Sequence, residues 1–123
     1  MIGQLVERNG HRLLVVEPVG PVLGKTRDVL DLIEEGFEQK ARVIVVPVAR
    51  LDPAFFQLRS GLAGEFVQKI VNYRFRLAVI GDISAHVTES NALRDFVREC
   101  NRGGGVLFVP NIDALEAKLS AAS

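Results

Sequence analysis

The chain has 123 residues and a mass of 13.5 kDa, the size of one domain. Hydrophobic residues make up 48% and charged residues 24%, a composition that excludes intrinsic disorder. Lys plus Arg equals Asp plus Glu at 15 each, so no overall basic excess marks a nucleic-acid binder, and the zero net charge tolerates self-association. No apolar run approaches a membrane span, and the amino terminus lacks the basic-then-apolar pattern of a signal peptide. A lone Cys100 fits a reducing compartment, so a cytoplasmic location is expected. His11, His86 and Cys100 stand in no metal-ligand spacing, and neither a metal nor another cofactor is expected.

Residues 2–7 alternate loosely and predict a first strand. Asn9-Gly10 is a two-residue hairpin turn, and residues 12–16 predict an antiparallel second strand. Gly20, Pro21 and Gly24 punctuate a loop. Thr26 is a good N-cap for a helix in which Val29, Leu30, Ile33 and Phe37 recur at helical spacing. Asp28, Asp31, Glu34 and Glu35 then form a solvated acidic face, with Gly36 at the helix end. Val43-Ile44-Val45-Val46 is a β-branched run typical of strands covered on both faces, and Pro47 ends it or places it near an edge. Asp52-Pro53 opens a helical segment with an apolar stripe of Phe55, Leu58, Leu62, Phe66, Ile70 and Tyr73. Gly61 costs about 1 kcal/mol relative to Ala inside a helix, which predicts a kink or restart there. Residues 77–80 form the next buried strand, ending at Gly81-Asp82, and 84–88 read as a loop. Thr88 or Ser90 caps a helix with Leu93, Phe96, Val97 and Cys100 inward, stopped by the glycines after Asn101. Residues 106–109 form the last strand, and Asn111 or Ile112 opens a short helix with Leu115 and Leu119 inward.

These elements predict one α/β domain over residues 1–123: a five-stranded mixed sheet with about four helices, in the order ββαβαβαβα.

Gly20-Pro21-Val22-Leu23-Gly24-Lys25-Thr26 lies where a phosphate loop would, between a strand and a helix. Only three residues separate its glycines, and Val19 occupies the position of the first glycine of a true phosphate loop. An ordinary loop is the better reading, with a weak anion contact at Lys25 and Thr26 as the alternative. Ser60 lacks the preceding glycine of a nucleophile elbow, and no catalytic residue is assigned. Gly61, Gly64, Glu65, Gln68 and Asn72 recur at intervals of three and four on a second side of the helical segment. This is either a partner face or a side that packs under the protein's own loops. Glu65 and Lys69 are spaced for an i,i+4 pair. Asp82 falls at the carboxyl end of a buried strand, the edge where ligands bind in open α/β sheets. Arg59, Ser60 and Ser84 are candidates to converge there, whereas the plainer reading makes Asp82 a turn cap.

The run Phe55-Phe56-Gln57-Leu58-Arg59-Ser60-Gly61-Leu62-Ala63-Gly64-Glu65, with Gln68-Lys69 and Asn72-Tyr73-Arg74, resembles the core motif of a small bacterial family, domain of unknown function family 4180. Leu77 to Asp82 and Leu93 to Gly103 continue the pattern, so the resemblance covers about residues 52–109 and implies no catalytic residues. More distantly, the element order is similar to that of STAS domains of the anti-sigma factor antagonist type. Their phosphorylation loop, Asp-Ser-Ser/Thr-Gly-Leu, is similar to Leu58-Arg59-Ser60-Gly61-Leu62. Arg59 stands at the phosphorylated position, which implies a fixed positive charge where those domains acquire a negative one.

The expected function is that of a non-catalytic, STAS-like regulatory or protein-interaction domain. Its working surface comprises Arg59, Ser60, Gly61, Gly64, Glu65, Gln68 and Asp82. A homodimer and a protein partner are expected, with no nucleic acid and no membrane. The alternative is a small-molecule, nucleotide or anion-binding domain, or a weak enzyme.

Overall fold

The computed structural model describes residues 2–103 and 105–121. Strands β1 (Gly3–Arg8) and β2 (His11–Val16) form an antiparallel hairpin in which Arg8 faces His11. Asn9 and Gly10 both have positive φ, 50° and 82°, the turn geometry whose twist matches paired strands. Helix α1 (Thr26–Glu38) leads to β3 (Val43–Pro47). Three short 3₁₀ turns follow, Val48–Arg50, Pro53–Phe56 and Leu58–Ser60, then α2 (Leu62–Asn72) and β4 (Arg76–Ile80). Helices α3 (Ser84–Glu89) and α4 (Asn91–Gly103), β5 (Val106–Val109) and α5 (Ile112–Ala121) complete the fold.

The sheet runs β1-β2-β3-β4-β5, antiparallel in the first pair and parallel thereafter. β3 is central and buried along its whole length, as its β-branched run requires, and Pro47 ends it rather than marking an edge. Val16, Ile44, Val46, Leu77, Val79 and Phe108 pack with residues of α1, α2 and α4 on one face. Leu13, Val43, Val45, Ala78, Leu107 and Val109 pack with Leu115 and Leu119 of α5 on the other. The parallel crossovers place α1, α2 and α4 on the same side of the sheet, and α5 packs on the opposite side. The hairpin tip reaches across to α5, where Arg8 contacts Asp113 at 3.0 Å and Glu116 at 3.4 Å. Hydrogen bonding to those carboxylates raises the Arg8 pKa further.

Several local expectations are corrected. Lys25, not Thr26, is the N-cap of α1. The buried stripe of α1 is Val29, Leu32, Ile33 and Gly36, while Leu30 and Phe37 are exposed. Gly36 lies within the helix rather than ending it, and its place is one where a Cβ would come within 2.9 Å of the Phe75 ring. The acidic face is not simply solvated. Glu35 accepts from the backbone N–H groups of Ile2 and Gly3 at 2.9 Å each, which ties β1 to α1. Asp28 accepts from the N–H groups of Gly24 and Lys25, at 2.9 and 2.8 Å.

The segment after Asp52 is not one kinked helix. Asp52 caps the first of two 3₁₀ turns by accepting from the Ala54 N–H at 2.9 Å. The chain restarts as α2 beyond Gly61, whose φ of 79° is left-handed. Residues 84–88, expected as loop, fall within α3, so the described residues hold five α-helices rather than about four. The short helix lacks a fully buried residue and is held by half-buried Ile83 and Val87, a pattern too brief to register as periodicity.

The glycine-punctuated loop before α1 is organised around Arg50. This buried side chain donates to the carbonyls of Glu17 at 2.7 Å and Pro21 at 2.9 Å, with Val19 at 3.4 Å. Carbonyls converging on a cation are the reverse of the N–H cradle that a phosphate requires.

Candidate functional site

Beyond their carboxyl ends, β4 and β5 part company. The chain leaves β4 toward the face covered by α4, and leaves β5 toward the face covered by α5. Adjacent strands whose connections diverge in this way open a crevice at the sheet edge. A cleft of about 670 Å³ occupies that position, within the range of small-molecule sites. Its apolar lining comes from Ile83, Val87, Val97, Phe108 and Val109. Its charged groups are Asp82, from the loop after β4, and Arg94 and Arg98, four residues apart on α4.

The groups that frame the cleft are held in place. Asn101 donates to the Phe108 carbonyl at 3.3 Å and accepts from the Phe108 N–H at 2.7 Å, which fastens α4 to β5. Ser90 caps α4 by accepting from the Leu93 N–H at 3.1 Å. Arg94 donates to Asn91 Oδ1 at 2.7 Å, and Arg98 stands 3.8 Å from Asp95. Asp82 accepts from the Ser84 N–H at 2.9 Å. That bond, with a further one from the Ser84 hydroxyl, holds its carboxyl below the usual range. Asp82 is therefore an ionised turn cap at the rim. Among the lining residues two guanidinium groups face one carboxylate over an apolar floor, and Asp95 offsets part of the Arg98 charge from outside the cleft.

The model of the family described as "Domain of unknown function (DUF4180)" matches residues 8–119. The chain belongs to this family. No curated protein and no solved structure matches it.

The DUF4180 chain does not bring all the sequence candidates together. Asp82 and Ser84 line the carboxyl-edge cleft, whereas Arg59 lines a separate cleft of about 710 Å³ with His86 and Phe56. The two clefts lie on opposite sides of α3, whose Ser84 and Val87 face one and His86 and Glu89 the other. The His86 ring stacks on Phe56 at 4.2 Å and 11°, which pins α3 over the 3₁₀ turns. Ser60 donates to the Ala54 carbonyl at 2.7 Å, and its hydroxyl oxygen accepts from the Leu62 N–H at 3.2 Å. These bonds close the turn that starts α2.

Gly61, Gly64, Glu65 and Gln68 are exposed, and a Cβ at either glycine would meet nothing within 4 Å. Glu65 accepts from the Thr26 hydroxyl at 2.6 Å, bridging α1 and α2, instead of pairing along its own helix with Lys69. At Lys25 and Thr26, Asp28 and Glu65 therefore already supply carboxylates to the Gly24 and Lys25 N–H groups and to the Thr26 hydroxyl. Cys100 is half-buried, and burial, with Glu99 nearby, pushes its thiol pKa up, away from nucleophile chemistry.

The sequence reading missed Arg94 and Arg98. Their signal was present: two arginines four apart on the helix that follows a strand-end Gly-Asp pair. Among the described residues, no group of three or more His, Cys, Asp and Glu is placed to hold a metal ion, and no helix is long and apolar enough to cross a membrane.

Proposed function

We propose that this DUF4180 domain is a small-molecule-binding regulatory domain whose ligand is an anion carrying an apolar body. The observation that carries this reading is the cleft at the fork between β4 and β5, with Arg94 and Arg98 over an apolar floor. A carboxylate or phosphate pairs with the guanidinium groups, and its apolar part covers Val97 and Phe108. Thermal-shift measurements with aliphatic and aromatic carboxylates and phosphorylated metabolites test it. A ligand at a hundredfold excess over its Kd stabilises by about 2.7 kcal/mol, roughly 10 °C for a chain this size. The Arg94→Gln/Arg98→Gln variant should lose that shift. A panel that moves the wild type nowhere, or a shift that survives in the variant, overturns the proposal.

A second reading, protein association through the outer face of α2, is favoured by the open space around Gly61 and Gly64 and the exposure of Val71 beside them. It assigns Arg59, Glu65 and Gln68 to a partner surface and makes the protein a homodimer in solution. The β-hairpin followed by βα units supports a STAS-like regulatory role, and the lone Cys100 supports placing it in the reducing cytoplasm. Light scattering should give twice the monomer mass, reduced to the monomer by Gly64→Arg. A monomer at every concentration refutes this reading.

A further inference from the structure

The opposite, amino-terminal edge of the sheet carries a groove of about 510 Å³ between the end of α1 and the end of α2. Three cations, Lys40, Arg42 and Arg74, line it together with Phe37, Tyr73 and Phe75, and no carboxylate lines it among the described residues. None of the three cations takes part in an ion pair among the described residues. Phe37 is 57% exposed and Tyr73 47% exposed, with their rings edge to face at 6.2 Å. Phe75 lies beneath, 5.0 Å from Phe37, and supports it from the core.

The backbone supplies an independent observation. The chain turns from α1 into β3 at Lys40 and from α2 into β4 at Arg74, and both residues are left-handed, with φ of 58° and 68°. Each sits just past a helix C-cap, where glycine is favoured because a Cβ is crowded. Two equivalent turns thus carry a cation where glycine fits better. Arg12 braces the first of them by donating to the carbonyls of Lys40 at 2.8 Å and Gln39 at 3.0 Å. Exposed rings among unpaired cations complement a chain of aromatic bases joined by phosphates. A purely apolar partner would leave three charges unmatched, and an acidic peptide would leave the rings unmatched.

We propose that this groove binds single-stranded nucleic acid, with bases stacked on Phe37 and Tyr73 and phosphates paired with Lys40, Arg42 and Arg74. The zero net charge of the chain does not oppose this, because the groove is locally cationic. Fluorescence anisotropy with a short labelled oligodeoxyribonucleotide of mixed sequence tests the proposal. Saturable binding is expected, with the logarithm of affinity falling against that of salt concentration at a slope of about −2 for three phosphate contacts. Lys40→Gly/Arg74→Gly should weaken binding more than tenfold, on the order expected from losing two phosphate contacts. Its melting temperature should be unchanged or higher, since glycine relieves both turns, so the loss cannot be unfolding. Phe37→Ala should weaken binding about tenfold through lost stacking. The Arg94→Gln/Arg98→Gln variant, altered at the other end of the sheet, should bind the oligonucleotide like the wild type, which separates this proposal from the small-molecule reading. Absence of binding at low salt, full binding by the double-glycine variant, equal affinity for duplex, or equal competition by poly-glutamate each overturns it.

Discussion

Removal of the Arg50 guanidinium should unclamp the loop before α1 without unmaking the fold. Arg50 is 5% exposed and makes two short bonds, to the carbonyls of Glu17 at 2.7 Å and Pro21 at 2.9 Å. Hydrogen bonds to a charged group each contribute about 1.5–3 kcal/mol. Glu17, Val19, Gly20 and Pro21 are exposed, so their freed carbonyls recover water, and the low end of that range applies to each bond. Arg50→Ala is therefore expected to cost about 3 kcal/mol. With a urea m-value of about 2 kcal/mol/M, the unfolding midpoint falls by about 1.5 M at unchanged m. The main-chain bond from the Leu23 N–H to the Arg50 carbonyl, 2.6 Å long, does not need the side chain and should persist, keeping the loss local. Arg50→Lys keeps the charge but not the planar fork, and should recover only part of the difference. Urea unfolding followed by circular dichroism reads both variants. A midpoint within about 0.3 M of wild type in the alanine variant, or complete rescue by lysine, would refute the idea that a guanidinium fork organises this loop.

Three further outcomes follow from positions where the structure and simple propensity disagree or where charge is tuned. Gly36→Ala gains about 1 kcal/mol of helix propensity, yet its Cβ would press on the Phe75 ring at 2.9 Å, so a net loss of about 1–2 kcal/mol is expected. A melting temperature at or above wild type would show that the ring gives way freely. Gly61→Ala and Gly64→Ala both enter open space but should differ in sign. The first is strained at φ 79° and loses about 1 kcal/mol, while the second, in helical backbone, gains up to about 1 kcal/mol. Thermal melts that move both variants the same way contradict this. Asp82 has a folded pKa below its ordinary 3.8 because the Ser84 N–H and hydroxyl bind its ionised form. Its stabilising contribution is thus present above that ordinary value and lost as pH falls through the lower folded one. Asp82→Asn should flatten the acid limb of the stability profile, and an unaltered limb would show that the capping bonds do not favour the carboxylate.

The two ends of the sheet divide the chemistry. At the carboxyl edge, divergent connections open a cleft with two arginines over an apolar floor. At the amino edge, two tight turns present cations and exposed rings. The zero net charge conceals both, because charge counted over a chain carries no information about where folding gathers it.

Much of the architecture is encoded in local chemistry. The Asn9-Gly10 turn, the β-branched run at Val43 to Val46, the Asp52 cap, the restart at Gly61 and the Leu115–Leu119 stripe each follow from short-range sterics and periodicity, and together they specify the mixed α/β architecture. Tertiary packing chose between the two helical stripes of α1: Leu30 and Leu32 are equally apolar, and the stripe that turns inward is the one carrying Gly36, which lies close against the Phe75 ring. Tertiary packing also decided that Glu35 binds the backbone of β1 rather than water, that α3 forms against the Phe56–His86 stack, and that Arg59 and Asp82 line different clefts. These outcomes depend on partners distant in sequence, and no window of neighbouring residues contains the surface against which a side chain will pack.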